Sequence, residues 1–255
     1  MYARLLWSVL LPSLLLAVAG QIGFILLPLY LLDLGAGPAV AAFVTAGIGI
    51  GMVLFDIPAG FLASRFGDKQ IMLAGVLVAA VTSVMISFAT SPWFLFLLAL
   101  VRGASSSAWL LGLLSYLTES FARNERGRAI ATMGGTMRIG ALIGPFFGGI
   151  VATTLGYNYA FLLAGLLAAL GLIVVASRPY SVHQREASEH QAAARFKQVL
   201  INNRRIFATA GVASIGLQLM RAGRQLLIPL IGYMVGLDAA AIGLVFSIAA
   251  AIDMA

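Results

Sequence analysis

Four arginines stand inside long apolar runs of this chain, Arg102, Arg138, Arg221 and Arg224, and they carry most of its capacity for chemistry. A guanidinium stays protonated and offers five donors in a rigid fork. At the centre of a bilayer it costs roughly 2.5 to 3.5 kcal/mol on insertion scales, so it is expected to face water, a solute or an acid rather than lipid. At about 100° per helical residue, Ser214, Gln218, Arg221 and Gln225 fall within roughly 60° of one another, with Arg224 just beside them. This is a polar stripe on an otherwise apolar segment, and it is expected to face a water-filled cavity; the alternative is that these arginines pair with acids and hold helices together. Gln21, in an earlier apolar run, is suited to orient a solute without charging the site. Arg138 projects about 120° away from the glycines that follow it and is a further cavity candidate. Arg102 shares a face with Ser105, Ser106 and Trp109, which reads equally as a cavity wall or as a hydrogen-bonding patch between helices. Acids are fewer. Asp56 and Asp253 lie in apolar runs, and the balance tilts the expected solute towards neutral or anionic.

Covalent and metal chemistry find little material. The chain has no Cys, so thiol catalysis and thiolate metal sites are excluded. Serine chemistry at Ser105-Ser106-Ser107 would need a base, and both histidines, His183 and His190, fall in a polar linker. No cluster of His and carboxylates suggests a metal, and no G-x-x-x-x-G-K-S/T loop suggests a bound nucleotide. An enzyme is therefore not expected, nor any cofactor.

The elements that must position these side chains are membrane helices. Of the 255 residues 61% are hydrophobic and 10% charged, and the mean hydropathy is +1.01, far from an ordinary soluble domain. The apolar runs reach about twenty residues, enough to cross a hydrocarbon core of roughly 30 Å as helices, and none shows the alternation of a barrel strand. Charges and Pro/Gly punctuation predict spans at Trp7–Leu32, Ala39–Ala63, Gln70–Ala89, Trp93–Thr118, Ala129–Thr153, Tyr157–Ala176 and Ile206–Tyr233, with an eighth from about Ala239 to the chain end. Ala17-Val18-Ala19 has the form of a signal cleavage site, but the apolar run continues to Leu32, which favours a retained helix.

Lys and Arg fall at the N-terminus and in alternate loops, at Arg4, Arg65, Lys69, Arg123, Arg126, Arg128, Arg178, Arg185, Arg195, Lys197, Arg204 and Arg205; the intervening loops hold only Asp33 and Asp238. Cationic loops stay on the cytoplasmic side, so the N-terminus is expected inside, and the net charge of +7 is accounted for by the bilayer without nucleic acid. Three regions follow: a six-span half at 1–177, a cytoplasmic linker at 178–205 with an amphipathic piece, Ala192 to Ile201, and the start of a second half at 206–255. The second half repeats the first. Leu26-Leu27-Pro28-Leu29 with Gly35 matches Leu227-Ile228-Pro229-Leu230 with Gly236 at one constant offset. If the halves are alike, about four more helices are missing, and they are expected as the partner that completes the cavity.

Three stretches resemble signatures of the major facilitator superfamily of secondary transporters. Gly60-Phe61-Leu62-Ala63-Ser64-Arg65-Phe66-Gly67-Asp68-Lys69 resembles G-x-L-A-D-R-x-G-R/K-R/K between the second and third spans, with Ser64 in place of the Asp and Asp68 in place of the first basic residue. Gly140-Ala141-Leu142-Ile143-Gly144-Pro145-Phe146-Phe147-Gly148-Gly149 resembles the fifth-span signature G-x-x-x-G-P-x-x-G-G associated with antiporters, and Gly140, Gly144 and Gly148 should form a groove for another helix. Arg102-Gly103 resembles the buried arginine of a further signature. The resemblance implies an all-α major-facilitator bundle that moves a small solute by alternating access, with H+ as coupling ion, in the plasma membrane and, for a bacterium, the inner one. A proton-coupled exporter is the expectation; an uptake symporter or a non-transporting receptor of the same fold is the alternative. It also implies a gate built of Asp56, Gly60, Leu62, Arg65, Gly67, Asp68 and Lys69.

Overall fold

The computed structural model describes residues 9–177 and 202–253. Most of the expected linker lies outside them, as do the side chains of Gln218 and Arg221. Eight helices are described: α1 Leu11–Asp33, α2 Pro38–Phe66, α3 Asp68–Phe88, α4 Pro92–Ser120, α5 Arg126–Thr154, α6 Tyr157–Ala176, α7 Arg204–Met234 and α8 Ala239–Ile252. No strand occurs among the described residues. The first six are long and apolar enough to cross a membrane, whereas α8 has 14 residues.

Helix ends follow local chemistry. Pro38 and Pro92 open α2 and α4, where a missing N–H costs nothing and the fixed φ suits a first turn. Asp238 caps α8, its carboxylate accepting from the Ala241 N–H at 2.7 Å. α1 and α7 end in one and the same way. Gly35 N–H donates to Leu32 at 3.0 Å and Ala36 to Leu31 at 2.9 Å; Gly236 donates to Tyr233 at 3.0 Å and Leu237 to Gly232 at 2.9 Å. Gly35 has φ +83° and Gly236 φ +81°, the left-handed geometry that such a paired closure requires. The repeat seen in the residues is thus repeated in the backbone, down to a proline inside each helix, Pro28 and Pro229.

The described spans run slightly past the apolar runs, because Arg, Lys and Asp are tolerated in helical turns that emerge from the hydrocarbon. The consequence is largest at the Gly60 turn. A bend of several residues was expected between the second and third spans, but α2 and α3 are separated by Gly67 alone, at φ +91°.

Packing runs in a chain of neighbours: α2 on α4, α4 on α3, α3 on α6, α6 on α1, α1 on α5, and α5 on α8. The core lies along α1, where Ile22, Ile25, Leu26, Leu27, Leu29 and Leu31 are all 2% exposed or less. Aromatic rings brace its C-terminal end, with Tyr30 against Tyr157 and Phe161 and its hydroxyl donating to the Ala89 carbonyl at 3.0 Å. The contact of α2 with α4 is set by two glycines. A methyl group on Gly51 would stand 2.9 Å from Leu100 Cα and one on Gly103 would stand 2.8 Å from the Met52 nitrogen, so the helices touch backbone to backbone there.

Candidate functional site

A cavity of about 520 Å³ opens between α1, α5, α7 and α8. Its polar lining is Gln21 from α1, Arg138 from α5, Arg224 and Gln225 from α7, and Asp253 just past the end of α8. Each lies in a mainly apolar helix, and the cavity supplies the polar surroundings that lipid would deny it. Arg224 holds Asp253 through both guanidinium nitrogens, Nη2 at 2.6 Å from Oδ2 and Nη1 at 3.4 Å from Oδ1. The two side chains are about half exposed, 48% and 52%, so the pair is not enclosed by the described residues.

A second chamber of about 290 Å³ extends inward between α1, α2, α3, α4 and α6. Gln21 and Gln225 line both chambers and so stand on their common wall. Arg102 stands on the far wall with Ser106, and it also lines a smaller chamber of about 200 Å³ with Ser105, Ser106 and Trp109. Arg102 is 8% exposed, and its guanidinium reaches α1 at Gly20, where a methyl group would meet Nη2 at 3.7 Å. Ser105 and Ser106 donate to the Arg102 carbonyl on their own helix, at 2.7 Å and 3.0 Å. Both hydroxyl bonds stay within α4, and the face they belong to lines the two chambers.

The Gly140, Gly144 and Gly148 groove receives α1. Methyl groups there would meet Val18 and Gln21 around Gly144, at 2.8 Å each, and Ile22 at Gly148, at 2.9 Å. This close approach is what brings Gln21 to the cavity beside Arg138. Pro145 and Gly149 serve a different neighbour. A methyl group on Gly149 would stand 3.1 Å from Ala240 Cα, and one on Gly243 would stand 3.4 Å from Gly149 Cα, so α5 and α8 interlock. Two side chains missed in the sequence fasten this seam: Thr153 Oγ1 accepts from the Ala240 N–H at 2.9 Å, and Ser247 Oγ donates to the Leu142 carbonyl at 2.7 Å. Small residues facing each other at helical spacing were the only signal for them.

The gate candidates lie apart from the cavity. Asp56 accepts from Ser107 Oγ and so ties α2 to α4. Arg65 lies over the Phe66 ring, 5.5 Å from its centroid, and Ser64 Oγ donates to the Phe61 carbonyl at 2.8 Å. Lys69 Nζ donates to the Ala176 carbonyl at 3.4 Å, a cation placed at the negative end of α6. Asp68 opens α3, Leu62 is half-buried, and Gly60 has open space around it. Among the described residues no group of three or more His, Cys, Asp or Glu could hold a metal ion.

Comparison with known proteins agrees with this architecture. The benzoate transport protein of Acinetobacter baylyi is 28% identical over 150 residues, 58% of this chain and 32% of that protein. The multidrug resistance protein MdtG of Enterobacter lignolyticus is 28% identical over 169 residues, 64% and 40% of the two chains. The multi-drug resistance efflux pump PmrA of Streptococcus pneumoniae is 28% identical over 153 residues, 58% and 38%. The chain thus spans less than half the length of these curated relatives. Among solved structures, a D-xylose-proton symporter superposes with a TM-score of 0.72 at 16% identity, over 99% of this chain and 66% of that one. A bacterial homologue of the human lysosomal transporter Spinster, in an inward-facing and unoccupied conformation, superposes with a TM-score of 0.68 at 15% identity, over 95% and 58%. These relatives and neighbours are transporters, not enzymes. The family description "Major Facilitator Superfamily" matches residues 9–255, so the chain is a multi-pass membrane protein of the major facilitator superfamily.

Proposed function

We propose that the protein is a secondary active transporter that moves a small solute by alternating access, binding it in the cavity between the first six helices and α7 and α8. The observation that carries this reading is the meeting of Gln21, Arg138, Arg224 and Gln225 on one cavity of about 520 Å³. Those groups come from three regions of sequence, and a fixed site shared by two halves is what alternating access requires. The resemblance of Gly140 to Gly149 to an antiporter signature supports export coupled to H+, and the efflux activity for which PmrA is named supports export. The one-sided Lys and Arg distribution supports a plasma-membrane protein with its N-terminus and the 178–205 linker in the cytoplasm. Uptake by symport is favoured by a different observation. Protonation of Asp253 would release Arg224, so a proton and an anionic solute would assist each other's binding.

Full-length protein in proteoliposomes with an imposed pH gradient tests the reading. Arg224→Gln and Arg221→Gln proteins should insert at wild-type levels and transport at least about tenfold more slowly, the first because it loses the charge-assisted hydrogen bonds that Arg224 makes and the second because it removes a cation from the polar stripe. Normal transport by both would remove the cavity assignment, and failure of both to fold would make these arginines structural. The topology has its own check. Single cysteines at Gly35, Gly67, Glu125 and His190 should react with an impermeant reagent from outside for the first and only from inside for the other three; the reverse pattern would overturn the orientation.

A further inference from the structure

Among the described residues the charged groups that line the cavity are Arg138, Arg224 and Asp253, and Asp253 is already engaged by Arg224. Arg138 has no ion-pair or hydrogen-bond partner among the described residues, nor has the guanidinium of Arg102 in the adjoining chambers. No other carboxylate lines any of these three chambers among the described residues. Two guanidinium charges therefore face the solute space without a counter-charge among the described residues. A cationic solute would meet repulsion from Arg138 and find its one acid occupied. A neutral solute would leave both charges uncompensated, and water screens the one at Arg102, 8% exposed, poorly. The rest of the wall is apolar, with Ile25, Met220, Ile228 and Phe246 around the polar groups.

Resting on the transporter reading above, we infer that the solute is an organic oxyanion with an apolar body, its charged end received by Arg138 and by Arg224, with Asp253 as the resident carboxylate that the solute displaces. Guanidinium forks match the planar oxygen pair of a carboxylate, and two of them on α5 and α7 would span such a group from the two halves of the bundle. Gln21 and Gln225, on the wall shared with the second chamber, are placed to donate to oxygens that the arginines leave free.

Calorimetric titration of purified full-length protein with 2-naphthoate, its neutral amide 2-naphthamide and the cationic 2-naphthylmethylammonium tests the inference. Naphthoate should bind at least about tenfold more tightly than the amide, and the ammonium should bind more weakly still. Arg138→Gln should weaken naphthoate by about 10- to 100-fold, and Arg138→Lys should recover part of that loss by restoring the charge without the fork. Asp253→Asn should tighten naphthoate, because the competing carboxylate is gone. Equal affinity for naphthoate and naphthamide, preference for the ammonium, binding of none of the three, or unchanged naphthoate affinity in folded Arg138→Gln protein would each overturn it, as would weaker naphthoate binding in Asp253→Asn. The two readings fail separately. A protein that binds naphthoate through Arg138 yet moves no solute in proteoliposomes keeps the anion site and loses the transport function. Proteoliposomes that transport the amide and not the acid keep the transport function and lose the anion site.

Discussion

Full-length protein carrying Gly103→Ala is expected to melt about 2–6 °C below the wild type, with Gly51→Ala close behind, whereas Gly60→Ala should be neutral or slightly stabilising. All three substitutions add one methyl group to a glycine inside a helix, and on propensity alone each should help by up to about 1 kcal/mol. Surroundings decide the sign. At Gly103 the new carbon would stand 2.8 Å from the Met52 nitrogen and closer still to the Ile48 carbonyl oxygen; at Gly51 it would stand 2.9 Å from Leu100 Cα. Those neighbours are backbone, which cannot rotate away, so α2 and α4 must separate along a contact that is among the most extensive in the bundle. Overpacking of that kind costs about 1–3 kcal/mol. Gly60 has nothing within 4 Å of the added carbon and keeps only the gain in propensity. Thermal melts of detergent-purified variants, read by fluorescence of the three native tryptophans, give the comparison. Equal melting temperatures for Gly103→Ala and Gly60→Ala would mean that α2 and α4 do not touch through their backbones.

The spans were legible because hydrophobic length is nearly the whole requirement for a membrane helix. The sixth was read as Tyr157–Ala176 and is found with those ends. The turn at Gly67 was legible in kind but not in length, since Arg65, Asp68 and Lys69 look like loop residues and are in fact carried on helical turns beyond the apolar run. In the site, Gln21, Arg138, Arg224 and Gln225 stood out because a polar side chain in an apolar run has few places to point. The pairing of Arg224 with Asp253 did not, because it depends on how α7 and α8 lean together, and the spacing of 29 residues carries no periodic signal. Gly51 and Gly103 were hidden by abundance. Among 28 glycines in the chain, spacing alone does not tell which face meets another backbone.

The second large effect is expected at that ion pair, where reversing both charges should separate assembly from transport. Arg224→Asp alone puts two carboxylates where the structure has a carboxylate held by a guanidinium, and Asp253→Arg alone adds a further cation to a cavity already lined by Arg138. Like charges that close repel, and each single variant also changes the charge that the solute would meet, so both should lose transport by about 10- to 100-fold with a small fall in melting temperature. The double variant restores an opposite-charge contact between α7 and α8. If the pair only tied the helices, the double variant would recover both stability and transport, as a swapped tie is still a tie. If Arg224 receives the solute, stability returns and transport does not, because the guanidinium now projects from the end of α8 rather than from α7 beside Gln225. The second outcome is the expected one, since both side chains are about half exposed and a pair that wet contributes only about 0–1 kcal/mol to holding helices together. Transport by the double variant at more than about half the wild-type rate would reduce Arg224 to a structural residue and leave Arg138 as the cation of the site.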